Sequence, residues 1–146
     1  MRRNQVTVWG IVLSVLLGII ALRSNSTIGE ETKMAGVYEL RTYSTEEGRL
    51  PALHARFKDH TIKLFEKHGM KNVIYFTGID QEGKPVDNKL VYLLGHKSQS
   101  AARASFDAFR KDPEWTAARD ASEKDGKIVA KAESQFFVPT EYSPMK

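Results

Sequence analysis

Beyond residue 36 the spacing of the apolar residues switches between two periods, and this switching constrains the fold more than any other feature of the chain. A period of two indicates a β-strand, and apolar residues three and four apart indicate an amphipathic helix. The segment VYELRTY, Val37 to Tyr43, alternates and predicts a first strand. The later segments predict a helix from about Gly48–Leu50 to His68, strands at Lys71–Ile79 and Leu90–His96, a helix from Ser98 or Ser100, a short helix from Asp112 to about Lys124, and a strand at Ile128–Tyr142.

Local signals support the predicted ends of the first helix. Ser44 and Glu47 have the spacing of a capping box, and Pro51 fits only the first turn of a helix. Gly69 directly after His68 is typical of a helix end, because glycine readily adopts the left-handed conformation found there. We therefore expect one continuous helix between the first two strands.

The order strand, helix, strand, strand, helix pair, strand predicts an α+β fold of the ferredoxin-like βαββαβ type with a four-stranded antiparallel sheet. Both alternating sets of the third strand are apolar, with Leu90, Tyr92 and Leu94 on one side and Val91 and Leu93 on the other. Helices cover one face of such a sheet, and a large apolar face is rarely left in water. We therefore expect a homodimer in which two sheets pack together as a dimeric α+β barrel.

The first 26 residues have the layout of an export signal. Arg2 and Arg3 precede a largely apolar run over residues 6–22, followed by a polar stretch. The run also reaches the lower limit for a membrane span, and no A-x-A cleavage site follows it. Two interpretations stay open: a cleaved signal peptide, giving a periplasmic or secreted protein, or a retained membrane anchor. Residues 27–35 are expected to form a flexible linker, and residues 36–146 one domain.

The basic charge of the chain comes mostly from this leader. The formal net charge is +4, and removal of residues 1–24 takes away Arg2, Arg3 and Arg23 with no acid, which leaves +1. Nucleic acid is therefore not an expected partner, because phosphate binding needs a basic domain or stripe. The sequence has no cysteine, which excludes disulfides and thiolate catalysis.

Several segments resemble the NIPSNAP family in order and at suitable spacing. They are VYELRTY, GRL at residues 48–50, RFKDHTIKLFEKHGM at 56–70, LVYLLGH at 90–96, FRKDPEW at 109–115 and VPTEYSPMK at 138–146. The resemblance implies a dimeric α+β barrel, a frequently secreted or organelle-associated setting, and no established reaction. Its fold is similar to that of small cofactor-independent monooxygenases and haem-degrading enzymes, but a shared fold does not carry function.

Glu39 and Arg41 are the main candidates for a ligand site. They share one side of the first strand, where an arginine can grip a carboxylate or phosphate and a glutamate can orient it or act as a base. We expect this side to face the interior of the dimer barrel. The alternative is a structural ion pair, since residues two apart on a strand are close enough for long side chains to meet.

The remaining candidates are aromatic residues and histidines. Tyr43, Tyr75 and Trp115 are expected to border a pocket or, alternatively, to pack in the core. His60 and His96 are weak candidates for a general base, with His60 expected to point toward the sheet. His54 and His68 fit the rim of the core or a helix cap. No pair of helix histidines has metal-site spacing, so no metal is expected, and no motif implies a cofactor.

Three functions remain open. The favoured one is an exported homodimer that binds a small molecule or a partner in its barrel. The second is a cofactor-independent monooxygenase-like or isomerase-like enzyme. The third is an interaction module tethered to the membrane by residues 6–22.

Overall fold

A computed structural model describes residues 36–145 of the chain. The elements are β1 (Val37–Thr45), α1 (Leu50–Arg56), a π-helical turn (Phe57–Thr61), α2 (Ile62–Lys67), β2 (Lys71–Ile79), β3 (Pro85–His96), α3 (Gln99–Lys111), α4 (Pro113–Ser122) and β4 (Val129–Phe137). The expectations for the signal or anchor and for the linker lie outside the described residues. Among the helices of residues 36–145, none is long and apolar enough to cross a membrane.

The four strands form one antiparallel sheet in the order β2-β3-β1-β4. The first strand lies between the third and the last, so Arg41 is opposite Tyr92 on one side and Ser134 on the other. This arrangement, with helices between β1 and β2 and between β3 and β4, is the ferredoxin-like α+β fold. The predicted fold class is therefore confirmed.

The helical segment after β1 differs from the expected continuous α-helix. A π-helical turn interrupts it, and the N–H of Ile62 bonds to the carbonyl of Phe57. The hydroxyl of Thr61 donates to the carbonyl of Arg56 at 3.2 Å, which satisfies an acceptor near the wider turn. The extra residue keeps both Phe57 and Thr61 buried on the same side. Sequence periodicity missed the turn because one inserted residue only shifts the phase of the apolar stripe.

The helix caps are partly as expected. Ser98 accepts a hydrogen bond from the N–H of Ala101, and Asp112 accepts one from the N–H of Glu114. The capping box at Ser44 is wrong, because Ser44 belongs to β1 and the helix begins after Arg49 without a side-chain cap.

The last strand is shorter than expected. It ends at Phe137, which pairs with Tyr38, and β1 begins only one residue before Tyr38. A strand continuing past Phe137 would therefore have almost no partner left to pair with.

All four helices pack on one face of the sheet and enclose the core. Tyr92 lies at its centre, with its ring centroid 5.2 Å from that of Phe57 and 6.0 Å from that of Phe65. Burying each such large side chain contributes about 1.5–3 kcal/mol. The core also contains Leu50, Leu53, Leu64, Met70, Leu90, Leu94, Phe106, Phe109 and Ile128.

The opposite face, which we call the open face, carries apolar side chains that no described helix covers. Ile74, Phe76 and Phe137 are 44%, 46% and 42% exposed. The register places Leu93 beside Ile74 and Val91 beside Phe76 on the same face. The apolar pattern expected on both sides of the sheet is therefore present, and no helix of residues 36–145 covers the open face.

Candidate functional site

Glu39 and Arg41 lie on the helix-covered face of β1. Glu39 is opposite Leu94, and Arg41 is opposite Tyr92, both of them core residues. Alternation then directs Tyr38 and Leu40 toward the open face. The expectation that Glu39 and Arg41 face the interior of a dimer barrel is therefore wrong. The sequence could not decide this because both alternating sets of β3 are apolar.

The two charged side chains form a nearly buried ion pair. Nη1 of Arg41 lies 2.5 Å from Oε1 of Glu39, and the side chains are only 16% and 3% exposed. Nε of Arg41 donates to the hydroxyl of Tyr92 at 3.0 Å, and Nη2 donates to that of Tyr43 at 3.4 Å. Buried charges are tolerated when they are paired and hydrogen-bonded in this way. The structural ion pair considered for these residues is therefore present.

His96 holds the other oxygen of the carboxylate. Its Nε2 lies 3.1 Å from Oε2 of Glu39, and its side chain is only 1% exposed. Because a carboxylate accepts, Nε2 carries the proton and donates. The other ring nitrogen, Nδ1, is buried and has no hydrogen-bond partner within the described residues. Glu39 is thus fixed from two directions, by His96 and by Arg41.

The surroundings of Glu39 favour its charged form. Burial alone would raise its pKa, but the hydrogen bond from His96 and the charge of Arg41 outweigh that effect. The net result is a pKa below the ordinary value of 4.5. Glu39 is therefore an ionised acceptor at neutral pH and a weak proton acceptor.

Beside this pair lies an open cleft between α3 and strands β1 and β4, which we call the Arg41 cleft. Its volume is about 370 Å³. The guanidinium carbon of Arg41 lies 4.4 Å from the centroid of the Phe106 ring, a cation–π geometry. The side chains that matter for recognition are Glu39, Arg41, Arg103, Phe106, Arg110 and Phe136.

Sequence reasoning missed the contribution of α3 to this cleft. Arg103, Phe106 and Arg110 are three and four residues apart, so they share one side of the helix. This spacing was a usable signal. Without the tertiary structure, however, nothing indicated that this side of α3 lies against Arg41.

The other predicted binding residues are dispersed. Tyr43 hydrogen-bonds Arg41 and also packs edge-on against Tyr92, with centroids 5.4 Å apart. Trp115 packs on Phe109 with ring centroids 4.4 Å apart. This contact agrees with the alternative expectation, in which Trp115 packs in the core. Tyr75 borders a different cleft, near the first helix. Only Glu39 and Arg41 of the predicted set line the Arg41 cleft.

The histidines do not converge. His60 lies in the π-helical turn and is exposed, so the expectation that it points toward the sheet is wrong. His68 bonds Asp112 at 2.7 Å beside the cap of α4. Hydrogen bonds from Lys67 and His68 lower the pKa of Asp112. Within residues 36–145, no three histidine or acidic side chains are grouped closely enough to hold a metal ion.

The described domain is thus a ferredoxin-like α+β protein with a charged cleft under α3. The sequence profile of the NIPSNAP family matches residues 38–144. The chain belongs to the NIPSNAP family, which confirms the resemblance found in its motifs.

Solved structures show the same fold. A NIPSNAP family protein of unknown function from Agrobacterium tumefaciens is 23% identical with a TM-score of 0.63, over 78% of this chain and 96% of that one. An uncharacterised NIPSNAP domain protein from Burkholderia xenovorans is 20% identical with a TM-score of 0.61, over 74% of this chain and 98% of that one. No curated protein matches the sequence.

Proposed function

We propose that this protein binds a small anionic molecule in the Arg41 cleft. The observation that carries the proposal is a nearly buried arginine that retains unused donors. A guanidinium has five N–H groups, and three of those of Arg41 donate to Glu39, Tyr43 and Tyr92. Within the described residues this leaves one N–H on each terminal nitrogen. Two such groups can grip a carboxylate or a phosphate.

The charge and shape of the cleft support an anion. Its three arginines outnumber its two acids, Glu39 and Asp107, which leaves one excess positive charge. The rings of Phe106 and Phe136 add apolar walls suited to a flat molecule. Its volume of about 370 Å³ is near the lower end of the range for small-molecule sites, about 300–1,000 Å³.

The same geometry favours binding over catalysis. Glu39 lines the cleft, but its lowered pKa makes it a poor general base near neutral pH. His60 is exposed on a different element, and His96 is buried behind Glu39. Neither of the histidines expected to supply a base for a cofactor-independent monooxygenase-like or isomerase-like enzyme therefore lines the Arg41 cleft.

The anion proposal is tested with a fragment that begins at residue 34, because residues 36–145 contain the described core cluster and the four-stranded sheet. Titration calorimetry with benzoate and with inorganic phosphate distinguishes a flat carboxylate from a simple anion. Arg103→Gln is the informative variant, because Arg103 is exposed and does not hold the core. We expect about a 2- to 5-fold weaker binding. Arg119→Gln, on the surface of α4, is the matched control and should change nothing.

Two results contradict this proposal. One is the absence of heat for both anions at millimolar concentration. The other is equal binding of benzoate and neutral benzamide, because an arginine cleft must discriminate between a carboxylate and its uncharged analogue.

We also propose that two copies associate through the open face. Its support is the exposure of Ile74, Phe76 and Phe137 on one apolar side of the sheet. Light scattering on the fragment should give the mass of a dimer, and a monomer at all concentrations contradicts this proposal.

Export is a separate proposal that rests on the leader sequence. Mass spectrometry of the protein in its natural compartment should find a mature N-terminus at residues 24–30. An intact N-terminus in the membrane fraction would instead support the tethered alternative.

A further inference from the structure

A second cleft lies on the same side of the sheet as the Arg41 cleft but near the opposite edge. We call it the Tyr75 cleft, and its volume is about 330 Å³. It lies between the helical segment after β1 and strands β2 and β3. The residues that define its chemistry are His54, Phe57, Lys58, Tyr75, Phe76 and Leu90.

The π-helical turn forms one wall of this cleft. Phe57, its first residue, has its ring centroid 5.9 Å from Tyr75 and 5.2 Å from Tyr92. The hydroxyl of Tyr75 is engaged by Asn72. Both rings are therefore held by contacts that do not depend on a ligand, and the cleft is formed in advance. Single π-helical turns are frequent at functional sites, which is consistent with a role here.

Among the residues that line the Tyr75 cleft, Lys58 carries the formal charge. His54 and Lys58 are four residues apart on the helix, and no acidic residue lines the cleft. Lys58 is exposed and forms no ion pair with any residue of the described range. An apolar floor beneath an unpaired cation suits a molecule that has an apolar body and one negative group.

We propose that the Tyr75 cleft is a second binding site, for a small apolar monocarboxylate. The apolar body lies against Phe57, Tyr75 and Leu90, and the carboxylate lies at the rim beside Lys58 and His54. A volume of about 330 Å³ accommodates roughly ten non-hydrogen atoms, taking about 30 Å³ for each water-sized group. This site shares no lining residue with the Arg41 cleft, so the proposal does not depend on anion binding there.

Octanoate, which has a suitable size, is the probe for this site. Backbone amide NMR shifts of the fragment from residue 34 report the location of binding as well as its strength. We expect octanoate to shift the amides of Phe57, Thr77 and Leu90. Octan-1-ol, which lacks the charge, should bind about 2- to 5-fold more weakly. Octyltrimethylammonium should be weaker still, because its charge repels Lys58.

Two variants test the assignment. Lys58→Gln should weaken octanoate binding about 2- to 5-fold and leave octan-1-ol unchanged. Thr77→Trp, at the exposed rim, should fill the cleft and abolish the amide shifts caused by octanoate and by octan-1-ol. Lys63→Gln is the matched control, since Lys63 is exposed on the same helical segment but borders a different depression. Arg103→Gln should also leave octanoate binding unchanged.

Three outcomes overturn the proposal. Shifts confined to Ile74, Val91 and Leu93 would show octanoate on the open face instead. Equal binding of the carboxylate and the quaternary ammonium would remove the role of Lys58. Octanoate-induced amide shifts that vanish when a dimer forms would show that a second copy occupies the Tyr75 cleft.

Discussion

Both faces of the sheet carry apolar residues, but the two faces have different surroundings. On the helix-covered face Leu94 and Tyr92 are fully buried, and even the charged residues there are paired. On the open face Phe76 is nearly half exposed although it lies on the same sheet. The described residues therefore complete one core and leave apolar side chains exposed on the other face. Apolar character alone does not identify a core, since burial depends on what packs against it.

The two faces should differ most in the free energy of unfolding that is lost when an ion pair is broken. Glu39→Ala removes the partner of the nearly buried Arg41 and should lower the free energy of unfolding by about 3–5 kcal/mol. Glu133→Ala breaks the pair with Lys131 on the open face, where both side chains are more than half exposed, and should cost about 0–1 kcal/mol. Urea denaturation of both variants measures the contrast. Equal losses would mean that the covered face does not shield its charges.

Two adjacent leucines on β3 make the same comparison for apolar residues. Leu94→Ala leaves a cavity in the core and should cost about 2–5 kcal/mol at any protein concentration. Leu93→Ala acts on the open face, so its cost should be smaller in the monomer and should grow with concentration if a dimer buries it. Unfolding at two concentrations separates the effects. A concentration-independent loss of the same size at Leu93 would contradict this account.

Acid pH should weaken the covered face through Glu39. Because its folded pKa lies below 4.5, the unfolded chain binds a proton first as the pH falls. The stabilisation by Glu39 is therefore complete above the ordinary pKa of 4.5. It is lost as the pH decreases through the lower pKa of the folded protein. Glu39→Gln lacks this contribution.

The test is the difference in unfolding free energy between wild type and Glu39→Gln, measured from pH 7 down to pH 3. The difference should shrink at the acid end. The unfolding free energies of wild type and Glu39→Gln should both fall toward acid pH, because the pKa of Asp112 is also lowered. Only the difference between the two proteins therefore reports on Glu39. A difference that stays constant over this range would show that the pKa of Glu39 is the same in the folded and the unfolded chain.

The smallest change in the stability of a single subunit is expected on the open face. Phe76→Ser should alter it by within about 0.5 kcal/mol, since the side chain is already 46% exposed. The same substitution should convert a dimer into a monomer by light scattering. Val138→Ser is the control, because Val138 is 74% exposed and follows the end of β4. A dimer that survives Phe76→Ser would place the interface elsewhere.

Much of the fold was predictable from the local chemistry of the chain. Ser98 and Asp112 are helix caps because their side chains accept hydrogen bonds from nearby N–H groups, a property visible in sequence. The candidate site was less predictable. Glu39 and Arg41 were identified, and their pairing was one of two alternatives. The arginines of α3 were missed because they contact the site only after the chain folds back over the sheet.

The sequence by itself determined the order of strands and helices, the ferredoxin-like topology and membership of the NIPSNAP family, because these depend on periodicity, caps and motifs along the chain. Tertiary structure decided which face of β1 the helices cover, where the π-helical turn shifts the helix phase, and which side chains border each cleft. Those features depend on contacts between residues far apart in sequence, such as Arg41 with Phe106. No local pattern reports such contacts when both faces of the strands are apolar.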